Sequence, residues 1–539
     1  MFSWIKNKLS DKETYQLSEW RTDDSIYNFI GGHLDEKGRL PDSIPGLPDE
    51  PKGNDNEIKF AAGFADTLFG KDDSAKSKRI VNKLVDLLEQ ISLAGGEEDQ
   101  AKFYEIITSQ EAVIGFIDLF LDKTVGKALE ILPHLYSFAF DLAFKSAHRN
   151  GVKFGVALLG FCQKKEVIPQ IIDIGVHDEF TVFSAVAIEN LSNDPEYDLW
   201  KLAQRVDGWG KIQTMDRLVL GGISSPDIKE WMLLEGYKNS IMYEYLAHSC
   251  AMKGELHLKI SEERIDASLF EASSDIIEAL IMGGPAEDIY MYEFAALTVS
   301  SFVKHANVYG NDVRHFVVLH KIKRFLEELQ KDAESLSQNG WNQRIVANCL
   351  AAIDRIVEDQ QWRTKALESM ETNADHTTYW YAKEAAEILG LDVWEHAWKK
   401  VLNDPLNSSY WYDIMTSTTE QNIDKVIQLA LEKLPLQRLA TGPKDSLGIG
   451  PEFQVHSCIE FVITLLEKYP NRGEEIILFS LRSSVTRTRN ITLKTLHEWG
   501  KSNWSEDVKD ALIRLKSEEP NKDTKKTIAR VLSGKSLDY

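Results

Sequence analysis

An all-α fold is what this sequence predicts, on three observations. Apolar residues recur at helical spacing from about residue 57 onward, the Val/Ile/Thr alternation and Asn-Gly turns of hairpins are nearly absent, and short amphipathic segments follow one another across tight turns. With 539 residues, 43% of them hydrophobic, the chain is too long for one conventional core. Its helices must form several domains or one elongated array.

Taken in order, the N-terminal MFSWIKNKLSDKETY turns polar after five residues and has no signal-type apolar core. The first boundary is LPDSIPGLPDEPKGNDN (40–56), where four prolines and two glycines forbid a continuous helix. Residues 1–56 are therefore expected to be a helical leader and linker, and 57–440 the helical body.

Within the body, WGKIQTMDRLVLGG places Ile212, Met215, Leu218 and Val219 on one helical stripe that Gly221 and Gly222 end. Asp207 is the expected cap, with Trp209 packed against the preceding helix and Asp216 and Arg217 on the polar side. SSPDIKEWMLLEG follows, with a serine cap, Pro226 in the first turn and a stop at Gly236. Two such helices cannot bury their stripes without neighbours, which is the logic of an irregular HEAT/armadillo-like α-solenoid, a superhelix of helix pairs. VFSAVAIENL (182–191), WGKIQTMDRL (209–218) and NITLKTLHEW (490–499) align loosely as repeat-like units. A compact all-α domain without repeats is the competing arrangement. The interruption TGPKDSLGIGPEF (441–453), with three glycines and two prolines, reads as a loop projecting from the array, and 454–539 as C-terminal helical repeats.

Charge and cysteine usage narrow the partners. A net charge of -22 repels nucleic acid and anionic membranes, and the basic C-terminal segment is interleaved with acids as on a solvated helix face. Cys162, Cys250, Cys349 and Cys458 are scattered, as buried free thiols would be, and no apolar run approaches a membrane span. The expected location is cytoplasmic.

Catalytic templates are not met. Gly208 and Gly210 form a G-x-G, but Gln213 occupies the third glycine position of a dinucleotide fingerprint and no strand precedes it. The Gly-Lys-Ser triplets at Gly500 and Gly534 lack the upstream glycine of a phosphate loop and read as helix ends. No His-Glu-x-x-His or Glu-x-x-His occurs, His315 and His320 are poorly spaced for a shared metal, and no metal site is expected. Glu244 and His248 share a helix face, a spacing more often structural than catalytic. No cofactor is apparent from these letters.

The densest composition is aromatic, between residues 377 and 413. Trp380, Trp394, Trp398 and Trp411 stand there with Tyr379, Tyr381, Tyr410 and Tyr412, and Trp394 and Trp398 lie i, i+4 on one helix face. These tryptophans are the candidate surface for an apolar ligand or a partner's anchor residue, although aromatic stripes at helical spacing are usually core.

DGWGKIQTMDRL with PDIKEWMLLEGYKNSIMYEYLAHSCA, and GPKDSLGIGPEFQVHSCIEFVI with LRSSVTRTRNITLKTLHEW, resemble a group of bacterial HEAT-like repeat proteins whose members carry the name limonene hydroxylase. The stronger similarity spans residues 191–250 and 441–500. The resemblance implies a monoterpene monooxygenase forming carveol and perillyl alcohol, an NAD-dependent oxidation of these alcohols, NAD or NADP as cofactor and a small apolar terpene as ligand. It supplies no catalytic residue that maps onto a position of this chain. Two functions are thus expected in competition: an α-solenoid scaffold binding a protein or peptide on its concave face, and the terpene oxidoreductase.

Overall fold

The computed structural model describes residues 20–41, 44, 46–50, 75–110, 113–127, 133–284, 286–332, 334–371 and 376–537. Half of the expected leader and the start of the expected body lie outside them. Among the described residues the fold is all-α: no strand forms, and two isolated bridges join Arg21 to Ser146 and Ser446 to Val485. No helix there is long and apolar enough to cross a membrane.

The chain divides into two compact units. The first comprises Met1–Lys52, Lys59–Gly310 and Val318–Ile356, and the second Gly53–Ile58, Asn311–Val317 and Val357–Tyr539.

The first unit begins with α1 (Ile26–His33), α2 (Ala75–Ala94), α3 (Glu97–Thr108), α4 (Ile114–Gly126), α5 (Pro133–Lys145) and α6 (Arg149–Leu159). Next come α7 (Ile168–Gly175), α8 (Asp178–Leu191), α9 (Pro195–Ala203), α10 (Gly208–Leu220) and α11 (Pro226–Trp231), which runs into a π-helical turn at Met232–Gly236. Then follow α12 (Glu244–Lys253), α13 (Leu256–Ile260), α14 (Ala267–Met282), α15 (Ala295–Tyr309), α16 (Val313–Leu329) and α17 (Gln343–Val357), α16 starting among residues grouped with the second unit.

Packing follows chain order. α3, α6, α8, α10, α12 and α14 lie side by side as successive neighbours, while α5, α7 and α9 each pack on the helix that follows. Packed against this row, a segment as short as α7 buries Ile168, Ile171, Ile172 and Ile174. α1 packs across the ends of α5 and α7, which brings the segment behind it close to the starts of α8 and α10.

The second unit contains α18 (Gln361–Glu371), α19 (His376–Ile388), α20 (Trp394–Asn403), α21 (Ser408–Ser417), α22 (Ile423–Lys433) and α23 (Leu436–Leu439). α24 (Gln454–Leu466), α25 (Glu474–Leu481), α26 (Thr486–Trp499), α27 (Glu506–Glu518) and α28 (Lys522–Ser533) complete it. α21, α24, α26 and α28 pack in one row and α23, α25 and α27 in another, with a shared apolar core between them.

Local details match several sequence expectations. Ser225 accepts from Ile228 N at 3.5 Å with Pro226 in the first turn, and Gly500 and Gly534 stand at helix ends with φ of +73° and +70°. All four cysteines are free and buried.

One expectation is corrected. The 441–453 stretch does not project: Gly442 N donates to Arg482 O, Thr486 N to Ser446 O, and Arg489 reaches Lys444 O at 3.0 Å, so backbone pairing lays it against the start of α26. Trp209 is half-buried and meets Tyr245 of the following helix edge-on at 5.3 Å. Gly208 begins the helix in a left-handed conformation.

Candidate functional site

The first unit contains an open cleft of about 810 Å³. Its walls come from four places: Arg39, Leu40, Pro41 and Ile44 behind α1, the start of α8, the start of α10, and the π-turn with the loop that follows it. The stretch DGWGK supplies Asp207, Gly208 and Lys211 to this wall.

Each group is positioned by local rules. His177 caps α8, its Nδ1 accepting from Glu179 N at 3.2 Å, so the ring's proton sits on Nε2. Burial pulls its pKa down to about 4, leaving a neutral imidazole at pH 7. Asp178 meets the start of α10, where Gly210 N–H donates to its carboxylate. A Cβ on Gly210 would lie 2.6 Å from Asp178 Oδ1 and 2.8 Å from Thr181 Oγ1, so this close approach requires glycine. Burial pushes Asp178 up to about 7, with the Gly210 amide opposing and the Asp207 and Glu179 charges adding to the rise.

Asp207 does not cap its own helix, contrary to expectation. Its Oδ1 accepts from Ser240 N at 3.0 Å, and Asn239 Nδ2 donates to Gly208 O at 3.0 Å, which fastens the loop after the π-turn to the start of α10. Capping passes instead to Asp178 from the neighbouring helix. The extended backbone of Asp207 followed by a left-handed Gly208 directs its carboxylate to the loop.

Lys211 is 7% exposed. Its Nζ donates to Glu235 O at 3.0 Å and Lys238 O at 2.6 Å, satisfying carbonyls at the end of the π-turn, and lies 5.6 Å from the centre of the Trp231 ring. Among the described residues no carboxylate lies within 4 Å of Nζ, and the two carbonyls use two of the three donors of an ammonium that lines the cleft. Burial lowers the Lys211 pKa, and Asp207 and Glu235 are among the groups that oppose it.

A second hollow of about 450 Å³ adjoins the first, sharing Arg39, Gln204 and Arg205. Arg205 is fixed there, donating to Gly38 O at 2.7 Å and pairing with Asp173 at 2.8 Å. Arg39 and Lys37 are exposed and make no side-chain hydrogen bond or ion pair among the described residues, although the Asp35 carboxylate, which accepts from both their backbone amides, feels their charges. The two hollows together carry six lysines and arginines against five carboxylates, whereas the whole chain carries 62 against 84. The local balance of charge is thus opposite to that of the molecule.

The nicotinamide cofactor implied by the resemblance does not fit the G-x-G. A pyrophosphate would need the free amides at the start of α10, and Asp178 already occupies them with a group that repels phosphate when ionised. Among the described residues no group of three or more metal-ligating side chains forms. Glu244 and His248 make no hydrogen bond or ion pair with each other.

The four candidate tryptophans separate. Trp411 is fully buried and Trp394 nearly so, with indole N–H groups donating to Pro405 O at 2.7 Å and Thr418 Oγ1 at 3.1 Å. Trp398 is half-buried and stacks on Trp394 at 5.0 Å, and Trp380 is 46% exposed. Faces in this block are taken by the chain's own cations: Lys400 lies 3.2 Å from the Tyr379 ring centre, Lys383 5.2 Å from Tyr412 and Lys425 5.7 Å from Trp394.

Sequence reading missed Arg39, His177, Asp178 and Asn239 as members of one site. They lie on separate segments, and no spacing in the letters ties them together. Comparison with protein-family models, curated proteins and solved structures finds no match to this chain.

Proposed function

We propose that this protein is a binding protein of the helical-repeat kind, which holds a polar segment of a partner protein in the cleft of its first unit. The observation that carries the reading is the cleft itself: a preformed hollow of about 810 Å³ whose charged walls are fixed by hydrogen bonds between successive helix ends. The side-by-side rows α6, α8, α10, α12, α14 and α21, α24, α26, α28 support a solenoid arrangement, because each helix is sealed chiefly by near neighbours in sequence. Solenoids present binding surfaces along helix ends and inner faces, and this cleft is made from helix ends. The terpene oxidation implied by the resemblance calls for an apolar pocket, and the charged lining favours a polar ligand instead.

A photo-crosslinking residue at Ser240, exposed at the cleft, tests the reading in cells that make the protein. A defined protein adduct at Ser240 that disappears with Arg39→Glu, and does not form from the same probe at Leu220 on the far end of α10, is expected. Equal adducts from both positions, or none from Ser240, would remove the cleft as the binding site.

A further inference from the structure

Three features of the cleft go beyond its being a place for a partner and concern the chemistry of what it holds. Lys211 is an ammonium more than nine-tenths buried that lines the cleft, held among the described residues by two carbonyl oxygens and no carboxylate, which accounts for two of its three donors. Carbonyl dipoles hold a cation in place but do not neutralise it, and Asp207 and Glu235 act on it only from beyond ion-pair distance, so its charge is incompletely compensated beside an 810 Å³ hollow. Arg39 and Lys37 continue the same sign along the second hollow, where the carboxylates are already engaged: Asp173 by Arg205 and Asp198 by Ser192 and Lys201. Because the two hollows join at Arg39, Gln204 and Arg205, the cationic groups form a track that suits an extended chain better than a compact solute.

We propose that the cleft takes an acidic peptide segment of the partner, with one carboxylate against the Lys211 ammonium and further acidic side chains reaching Arg39 and Lys37. The inference rests on the cleft-binding reading and specifies its ligand. The rest of the acidic surface opposes such a segment at long range, so recognition depends on contact inside the cleft, where desolvation strengthens each charge-assisted hydrogen bond.

Asp178 gives this binding a pH dependence. On its own helix it is faced by Glu179 and by His177, neutral above about pH 4, and from α10 by Asp207 and the Gly210 amide, with the Lys211 ammonium and the Arg39 and Arg205 guanidinium groups on the cleft wall. Protonated Asp178 donates a hydrogen bond to an incoming carboxylate, and ionised Asp178 repels it. Binding therefore tightens as pH falls from 8 to 6.

The test is a random peptide library displayed on phage and panned on the full chain, followed by fluorescence anisotropy on the enriched peptides. Enriched peptides should be rich in Asp and Glu, bind more tightly at pH 6 than at pH 8, and weaken about tenfold or more with Lys211→Met and with Arg39→Glu. Arg39 is exposed and unpaired, so Arg39→Glu keeps the test valid if Lys211→Met folds poorly. As a control for place, Ser240→Cys coupled to a bulky maleimide should block the same peptides. Basic or uncharged peptides that the maleimide still blocks would overturn the acidic ligand and leave the cleft as a binding site. Peptides insensitive to the maleimide, or no enrichment at all, would overturn both.

Discussion

Buried basic side chains differ in how far their surroundings compensate them: Lys153 in the first unit pairs with Glu179 at 2.6 Å, and the fullest and the least complete cases are Arg489 and Lys211. In the second unit Arg489 and Glu519 are fully buried and form a bidentate pair at 2.6 and 2.7 Å, and Arg489 also donates to Ser483 O at 2.9 Å and Lys444 O at 3.0 Å. Glu519 accepts in turn from Asn521 N at 3.1 Å. Charge and hydrogen-bonding capacity are matched inside the protein, so nothing is left for a ligand. Lys211 in the first unit is nearly as buried but has only carbonyl partners and a cavity beside it. The difference teaches that a buried charge marks a site when its compensation is unfinished where a ligand can reach.

The largest expected effect tests the finished side of this comparison. Arg489→Met would strand Glu519 without a cation and release the 441–453 segment from the start of α26. The expected loss is about 3–5 kcal/mol, read as a lower urea midpoint, with part of it restored by adding Glu519→Gln. An unchanged midpoint would mean that the pair is dispensable and the comparison has no energetic content. Lys211→Met should behave differently. It leaves the Glu235 and Lys238 carbonyls short of a donor but removes a poorly compensated cation, and the opposing effects leave a net change of about 1 kcal/mol or less. A loss as large as that of Arg489→Met would make Lys211 a structural cation first.

The contrast also explains what the sequence could and could not convey. Helix stripes such as Ile212, Met215 and Leu218 are local, so the all-α class and individual helix ends at Gly221, Gly500 and Gly534 were legible. The aromatic block drew attention by composition, yet a side chain's letter does not say whether its face is already occupied. Lys400 on Tyr379 and Lys425 on Trp394 are contacts that only packing creates. The cleft was hidden for the opposite reason. Asp207, Gly208 and Lys211 were read as the opening of a helix, and they are one, but Asp178, Asn239 and Arg39 converge on them from other segments. Glycine at 210 was a real signal of close approach, and the group that approaches is a carboxylate of this chain.

Asp178→Asn sharpens the electrostatic half of the comparison. The folded carboxyl has a pKa of about 7 against an ordinary 3.8, so the native state holds the proton more tightly than the unfolded chain. Stability from Asp178 is fully present below about pH 4 and is lost as pH rises through 7. Asparagine keeps an acceptor for Gly210 N–H without the charge, so it should stabilise by on the order of 1–2 kcal/mol at pH 8, allowing for partial solvent screening, and by much less at pH 4.5. His177 runs the other way, because its folded pKa of about 4 lies below the ordinary 6.5 and stability falls as pH drops between them. Thermal unfolding across pH 4–8 separates the two, and an Asp178→Asn gain independent of pH would show that the carboxyl is not desolvated.

The smallest expected change lies in the aromatic block. Trp380 is 46% exposed and packs edge-on against Tyr381 at 4.9 Å, so Trp380→Ala forfeits this contact at a side chain that is already largely in solvent. A loss of about 1 kcal/mol or less follows. Trp411 differs in being fully buried with its indole N–H bonded to Pro405 O, and the same truncation there should cost about 3–5 kcal/mol. The useful measurement is therefore the difference between the two melting curves, taken together with the Ser240 crosslink. If Trp380→Ala leaves stability alone but abolishes the cleft adduct, the exposed indole takes part in holding the partner, and the aromatic block regains a share of the function assigned to the first unit. If it leaves both unchanged, the block is packing with one solvent-facing edge, and density of aromatic letters was a guide to the core.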